Sequence, residues 1–392
     1  VSKLRIVVMG YLIRGPIGGM AWHHLQYVLG FRTLGHDVFF AEDSDDYPSC
    51  YDPSRGLVDC DPSYGLQFCN HVFRRVGLAE RWCYYDAHQA QWHGPAGNKA
   101  VDLFRSADVV FNISGVNPLR SWAEKVPVRI LIDTDPLFTQ VRHLKDPRSR
   151  DRANQHTVFY TFGENIPSGR SAVPDDGFPW QATRQPIDLD QWPVSHGPPG
   201  APFTSVMQWD SYPAVEYADQ WFGMKSRSFE PFVDLPQKVE AKLELALGSP
   251  SAPRDRLMAS GWRLRDPLRV TRDPWTYQTY LQASKAEFGI AKHGYVVSRC
   301  GWFSERSAAY LASGRPCLVQ DTGFSEQFPT GTGLVAFTAL DDAIAGLQDI
   351  EQRYVQHCRA ARAIAEEYFD ARHVLASMLE RSSTTSIALG RA

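Results

Sequence analysis

Several absences narrow the reading of this chain before any motif is considered. No apolar run reaches the ~20 residues that a membrane-crossing helix needs, and the first residues, Leu4-Arg5-Ile6-Val7-Val8-Met9, read as a strand rather than a signal peptide. A cytoplasmic protein without a membrane span is the expectation. Lysine and arginine nowhere form a block, and the net charge is only −3, so no nucleic-acid partner is expected. The seven cysteines (50, 60, 69, 83, 300, 317 and 358) are odd in number and widely spaced, with no Cys-x-x-Cys pair. That pattern excludes a disulfide framework and a structural zinc site. Internal repeats and low-complexity tracts are also missing.

What is present is a two-domain α/β rhythm. The length of 392 residues and a 43% hydrophobic content suffice for two cores. Ile6-Val7-Val8-Met9 is a buried strand, followed by a loop with glycines at 10, 15, 18 and 19. An amphipathic helix over residues 21–34, a Gly35-His36 turn and a second strand at residues 37–41 complete a βαβ unit. The loop lacks the G-x-G-x-x-G fingerprint of a dinucleotide site. Further strands are expected at residues 109–113, 128–132 and 158–162. Their polar ends, Ser114-Gly115, Asp133-Thr134-Asp135 and Gly163-Glu164-Asn165, would face a ligand crevice. Six prolines between residues 177 and 202 mark a linker, which divides the chain into residues 1–195 and 196–392. A second strand series starts at residues 203–207 and continues through 243–247 and 295–297 to 317–319 and 333–337. Helices over residues 340–350 and 353–369 close it. Eleven tryptophans and many other aromatic residues suit stacking on sugars, although core packing accounts for most of them.

Residues 299–324, RCGWFSERSAAYLASGRPCLVQDTGF, carry the most functional information. A strand ends at Arg299 and Gly301, and Ser304 is suited to cap a helix that stops before Gly314 and Pro316. The free N–H groups of a helix start suit a phosphate, Glu305 could accept hydrogen bonds from ribose hydroxyls, and Arg299 could neutralise a diphosphate. Asp321, Thr322 and Gly323 follow the next strand and could meet the sugar or phosphates.

This string, with Glu326-Gln327, resembles the donor-binding box of GT-B glycosyltransferases, in particular the HCGWNS...E...GVP...DQ pattern of plant secondary-product enzymes. The resemblance implies two Rossmann-like doubly wound parallel-sheet domains facing a central cleft, an acceptor on the first and a nucleoside-diphosphate sugar (UDP-, dTDP- or GDP-linked) on the second. It also implies hexose transfer to a hydroxyl of a small molecule or glycan, without metal or other cofactor. A cationic residue such as Lys225 commonly meets the diphosphate in these enzymes, and residues 261–280 fall where they hold the nucleobase. The terminal helix commonly returns to the first domain. Departures are clear: Arg299 replaces a phosphate-binding histidine, and the Glu-x7-Glu pair of retaining enzymes falls here on Gly301 and Ala309. The box therefore leaves the stereochemistry open.

Inverting relatives place a catalytic histidine near the glycine loop, which points to His23 or His24. Adjacent helical residues diverge by ~100°, so only one can face a cleft. Asp133 or Asp135 could orient the imidazole; together they also form a D-x-D string, here read without a metal. Gly18, Gly19, Glu164 and Trp180 are candidate acceptor contacts. A sugar-nucleotide 2-epimerase of the same fold and a non-catalytic nucleotide-sugar-binding protein are the competing readings.

Overall fold

The computed structural model describes residues 3–389. It contains two large sheets. The first has eight strands in the order Trp180–Ala182, Val158–Thr161, Val128–Asp133, Val109–Ile113, Arg5–Met9, Asp37–Asp43, Trp82–Asp86, Gln91–His93. All pair in parallel except the last, an antiparallel edge strand. The second has six parallel strands in the order Arg263–Arg265, Leu243–Gly248, Phe203–Gln208, Ala286–Gly289, Cys317–Gln320, Leu334–Phe337. Helices cover both faces of a parallel sheet, which is why Val7, Val8, Val110 and Leu245 are all buried whichever way they point. In each sheet the chain first moves to one side of its opening strand and later crosses to the other. These switch points lie at Arg5–Met9 beside Val109–Ile113 and at Phe203–Gln208 beside Ala286–Gly289, where crevices form at the carboxyl ends of the strands.

Three local readings need correction. Residues 295–297 belong to a helix, His293–Ser298, that ends with Arg299 in the left-handed region at φ 49°. The strand before it is Ala286–Gly289, disguised in sequence by Glu287, whose buried carboxylate is paired with Arg306 at 2.6 Å. The helix Gly18–Thr33 is not amphipathic: His23, His24, Gln26 and Tyr27 are all buried. Its expected solvent face is covered by the helices Pro274–Ala283 and Ala371–Leu389. The proline-rich stretch is partly built in, because Trp180–Ala182 joins the first sheet, Ile187 exchanges backbone hydrogen bonds with Phe369 and Ala371, and Trp192 is fully buried.

After the second sheet, helix Tyr354–Tyr368 packs on helix Glu305–Ala312, and Ala371–Leu389 then lies against Gly18–Thr33. The Tyr160 hydroxyl on the first sheet donates to the Met378 carbonyl at 3.0 Å. The terminal helix thus straps the two halves together. Among the described residues, no helix is long and apolar enough to cross a membrane.

Candidate active site

The carboxyl ends of both sheets face a cavity of about 490 Å³. Its floor on the second half is the start of helix Glu305–Ala312. Ser304 caps that helix, its Oγ accepting the Arg306 N–H at 3.2 Å, so Glu305 and Arg306 project from the first turn into the cavity. The Arg306 guanidinium is fixed from behind: Nε donates to Glu287 at 2.6 Å and Nη1 to the Val206 carbonyl at 2.8 Å. Burial opposes its charge, but Glu287, Tyr277 and Glu305 together outweigh it and hold the pKa above its ordinary value.

Two lysines join it. Lys225, the first residue of helix Lys225–Phe229, has no carboxylate partner among the described residues. Burial and, next, the neighbouring Arg306 and Lys292 push its pKa down to about 7. Lys292 donates to Asp135 and to the Tyr212 hydroxyl, both at 2.8 Å. Asp135 also accepts from the Tyr212 hydroxyl at 2.5 Å and from that of Tyr295. One carboxylate of the first half is thus held by three residues of the second. Glu305 lines the cavity without a hydrogen bond or ion pair from any described residue to its carboxylate. Three cations beside one uncommitted carboxylate can bind a polyanion that carries hydroxyl groups.

The first half contributes Tyr11, Gly19 and His23. The glycine loop that carries Tyr11 and leads into the helix of Gly19 and His23 is shaped by buried Glu42, whose carboxylate accepts the N–H groups of Leu12, Ile13 and Arg14 at 2.6, 2.7 and 2.7 Å. Burial raises the Glu42 pKa, and those hydrogen bonds with Arg14 offset the shift only in part. Of the two histidines, His23 lines the cavity. His24 is turned inward, with Nδ1 on the Met20 carbonyl at 2.7 Å and Nε2 accepting the Tyr11 N–H at 3.2 Å. Burial lowers the pKa of both, and for His23 nearby Glu305 partly offsets the shift. The His23 ring is therefore neutral at pH 7 and available to accept a proton.

Neither aspartate orients His23. Asp133 is buried and accepts from Gln140, Thr161 and the Asp135 N–H, while Asp135 faces the cavity on Lys292. The His23 ring is packed edge-on by His24, Tyr27 and Phe162 instead.

Several other expected residues lie elsewhere. Arg299 caps its helix, is half-exposed and pairs with Glu326 at 2.6 Å, outside the cavity lining. The Gly301 N–H donates to Thr322 at 2.8 Å. A Cβ there would stand 2.9 Å from Asn165, in a backbone at φ 82° that suits glycine. Asp321 binds its own turn at Gly323 and Ser325, Thr322 donates to Trp302, and the Gly323 carbonyl accepts from Asn165. These residues build the turn that holds the two halves together at Asn165. Glu164 is buried against Arg184 at 2.6 Å, and Trp180 is buried with its indole N–H on Asp176 at 2.8 Å. Gly18 meets the second half directly: its N–H donates to Thr271, and a Cβ there would lie 2.3 Å from the Asp273 carbonyl. Of the expected acceptor contacts, Gly19 alone lines the cavity.

Sequence reading missed Lys292, Arg306, Tyr212 and Tyr295. Two had a signal: Arg306 directly follows Glu305 at a capped helix start, and Lys292 lies just beyond the end of Ala286–Gly289.

No protein-family model matches the chain, and no curated protein matches it. Solved structures do. An alpha-glucosyltransferase in complex with UDP-glucose and DNA containing an abasic site superposes with a TM-score of 0.60 at 9% identity, over 97% of this chain and 100% of that one. Anabaena HepE in complex with UDP and glucose gives 0.57 at 11% identity, over 97% and 100%. Sucrose-phosphate synthase from Thermosynechococcus elongatus gives 0.54 at 9% identity, over 98% and 100%. The first of these is a protein of this fold in complex with DNA, so the fold by itself does not exclude a nucleic-acid partner. Over nearly its whole length, the chain has the GT-B fold of these glycosyltransferases.

Proposed function

We propose that the protein transfers a hexose from a nucleoside-diphosphate sugar to a hydroxyl of a small-molecule or glycan acceptor. The observation that carries this reading is the cavity between the two sheets, where Lys225, Lys292 and Arg306 stand beside uncommitted Glu305 and neutral His23. Glycosyl transfer leaves a diphosphate, and a cluster of preorganised cations stabilises the charge that develops on it. In this reading Lys225 and Arg306 meet the diphosphate directly. Lys292 joins them as the diphosphate competes with Asp135 for its ammonium group. Glu305 accepts the hydroxyls of the donor ribose, and the cap at Ser304 keeps the helix start aimed at the phosphates.

His23 is the residue suited to take the acceptor proton, at an imidazole that burial keeps neutral. Neither a metal nor a cofactor beyond the nucleotide sugar enters this scheme, since Asp135 is occupied by Lys292 and two tyrosyl hydroxyls and Asp133 is turned away. The protein is expected to work in the cytoplasm, where nucleotide sugars would be available to it.

A thermal-shift screen against UDP-, dTDP-, GDP- and ADP-sugars identifies the donor, because a bound ligand stabilises in proportion to its occupancy. Radiolabelled sugar from that donor is then offered with glycans, small hydroxylated aglycones and duplex DNA. Label transferred to a hydroxyl supports the proposal, and label on DNA alone would replace the acceptor class. His23→Ala is expected to cut turnover by ~100-fold or more with donor binding unchanged. A free sugar inverted at one ring carbon would instead mark an epimerase, and donor binding without any product would mark a binding protein.

A further inference from the structure

A second cavity, of about 160 Å³, opens in the first half at the carboxyl ends of Val109–Ile113 and Val128–Asp133. It is separated from the central cleft by a thin wall. Ser114 faces the second cavity and Thr134 the cleft, and their hydroxyls are hydrogen-bonded to each other at 2.6 Å. Asp133 and Asp135, on either side of Thr134, likewise face the second cavity and the cleft respectively.

The charges lining this cavity leave one unmet cation. Asp45 is buried and chelated by Arg152, at 2.6 and 2.8 Å from its two terminal nitrogens. Asp133 is surrounded by donors, from Gln140 at 3.0 Å, Thr161 at 2.8 Å and the Asp135 N–H at 2.9 Å. His143 is bound to Asp176 at 2.7 Å. His156 has both ring nitrogens occupied, by the Ala153 carbonyl and the Asn112 amide, each at 3.1 Å. Arg142, in the last turn of helix Phe138–Lys145, is exposed, and its guanidinium meets no carboxylate or carbonyl among the described residues. The N–H groups of Gly115 and Val116 in the wall also meet no acceptor among the described residues. Tyr47, 53% exposed, offers an aromatic face at the same cavity.

We propose that the second cavity seats an anionic group of the acceptor, a phosphate or a carboxylate, on Arg142, with the rest of the acceptor reaching over the Ser114–Thr134 wall into the cleft. A planar guanidinium and backbone N–H groups suit either anion, and Tyr47 suits the ring of a sugar acid or sugar phosphate. That the anion belongs to an acceptor rests on the glycosyl-transfer reading; the anion site itself does not.

Calorimetry on the full chain separates the two. Glucose 6-phosphate, glucuronate and glucose are titrated with and without saturating UDP, which occupies the cations of the cleft. The expected result is that at least one of the two anions binds in the presence of UDP, that glucose does not, and that Arg142→Glu weakens the anion by about tenfold or more while leaving the UDP dissociation constant unchanged. Arg142→Lys should retain part of the affinity, and the preferred anion identifies the acceptor's charged group. Anion binding that is equal in wild type and Arg142→Glu overturns the proposal, as does UDP binding with no anion binding at millimolar concentration. Binding of an anion through Arg142 by a protein that ignores UDP would keep this site and remove the donor reading.

Discussion

In the proposed scheme Lys225, whose pKa burial pushes down to about 7, would give the cleft a proton-dependent grip on the donor. A diphosphate beside Lys225 favours the ammonium form, so the bound pKa is higher than the free one and binding takes up a proton between the two values. Donor affinity should be flat below about pH 7 and should fall by up to about tenfold per pH unit above it, until the bound pKa is passed. Lys225→Met should flatten that slope. Calorimetric UDP titrations from about pH 6 to about pH 9 test it, and a wild-type affinity that does not fall above neutrality contradicts the role of Lys225. As the proposed base, His23 would set the opposite limb: burial holds its pKa below the ordinary 6.5, so protonation should reduce kcat/KM only below that pH. At this scale the place of Glu305 at the cavity, though not its role, was legible because a capped helix start beside glycine turns constrains where its carboxylate goes. Arg299 was misleading because a left-handed cap turned its side chain to Glu326. Choosing between His23 and His24 required knowing which face of a fully buried helix met the cavity, and no periodicity carries that information.

The element that depends most on one buried group is the glycine loop. Glu42 satisfies three successive N–H groups that would otherwise be orphaned in a dry interior. Glu42→Ala should destabilise the protein by roughly 3 kcal/mol in urea unfolding, with Glu42→Gln costing less. A change under about 0.5 kcal/mol would mean that the loop is held by other contacts. Central strands such as Arg5–Met9 and Val109–Ile113 were readable as short apolar runs ending in polar turns. Ala286–Gly289 was not, because its buried Glu287 makes sense only once Arg306 arrives from a later helix. The proline-rich stretch read as a linker because edge pairing by Trp180–Ala182 and the Ile187 contacts depend on partners distant in sequence.

Across the whole molecule, two parallel sheets present their switch points to one another. Asp135 of the first half is held by Lys292, Tyr212 and Tyr295 of the second, and the terminal helix straps the second half back to the first. The double βαβ rhythm was visible in the sequence. The domain-spanning contacts were not, since each joins residues more than seventy-five positions apart. The central claim is that this cleft grips a nucleoside diphosphate through its cations and Glu305. Calorimetric titration of UDP into wild-type protein and Glu305→Ala tests it most directly. One molecule of UDP should bind per chain, and the substitution should weaken binding by about 1.5 to 3 kcal/mol through the lost ribose hydrogen bonds. An unchanged dissociation constant in Glu305→Ala, or no binding of UDP, dTDP or GDP to the wild type, would contradict the account.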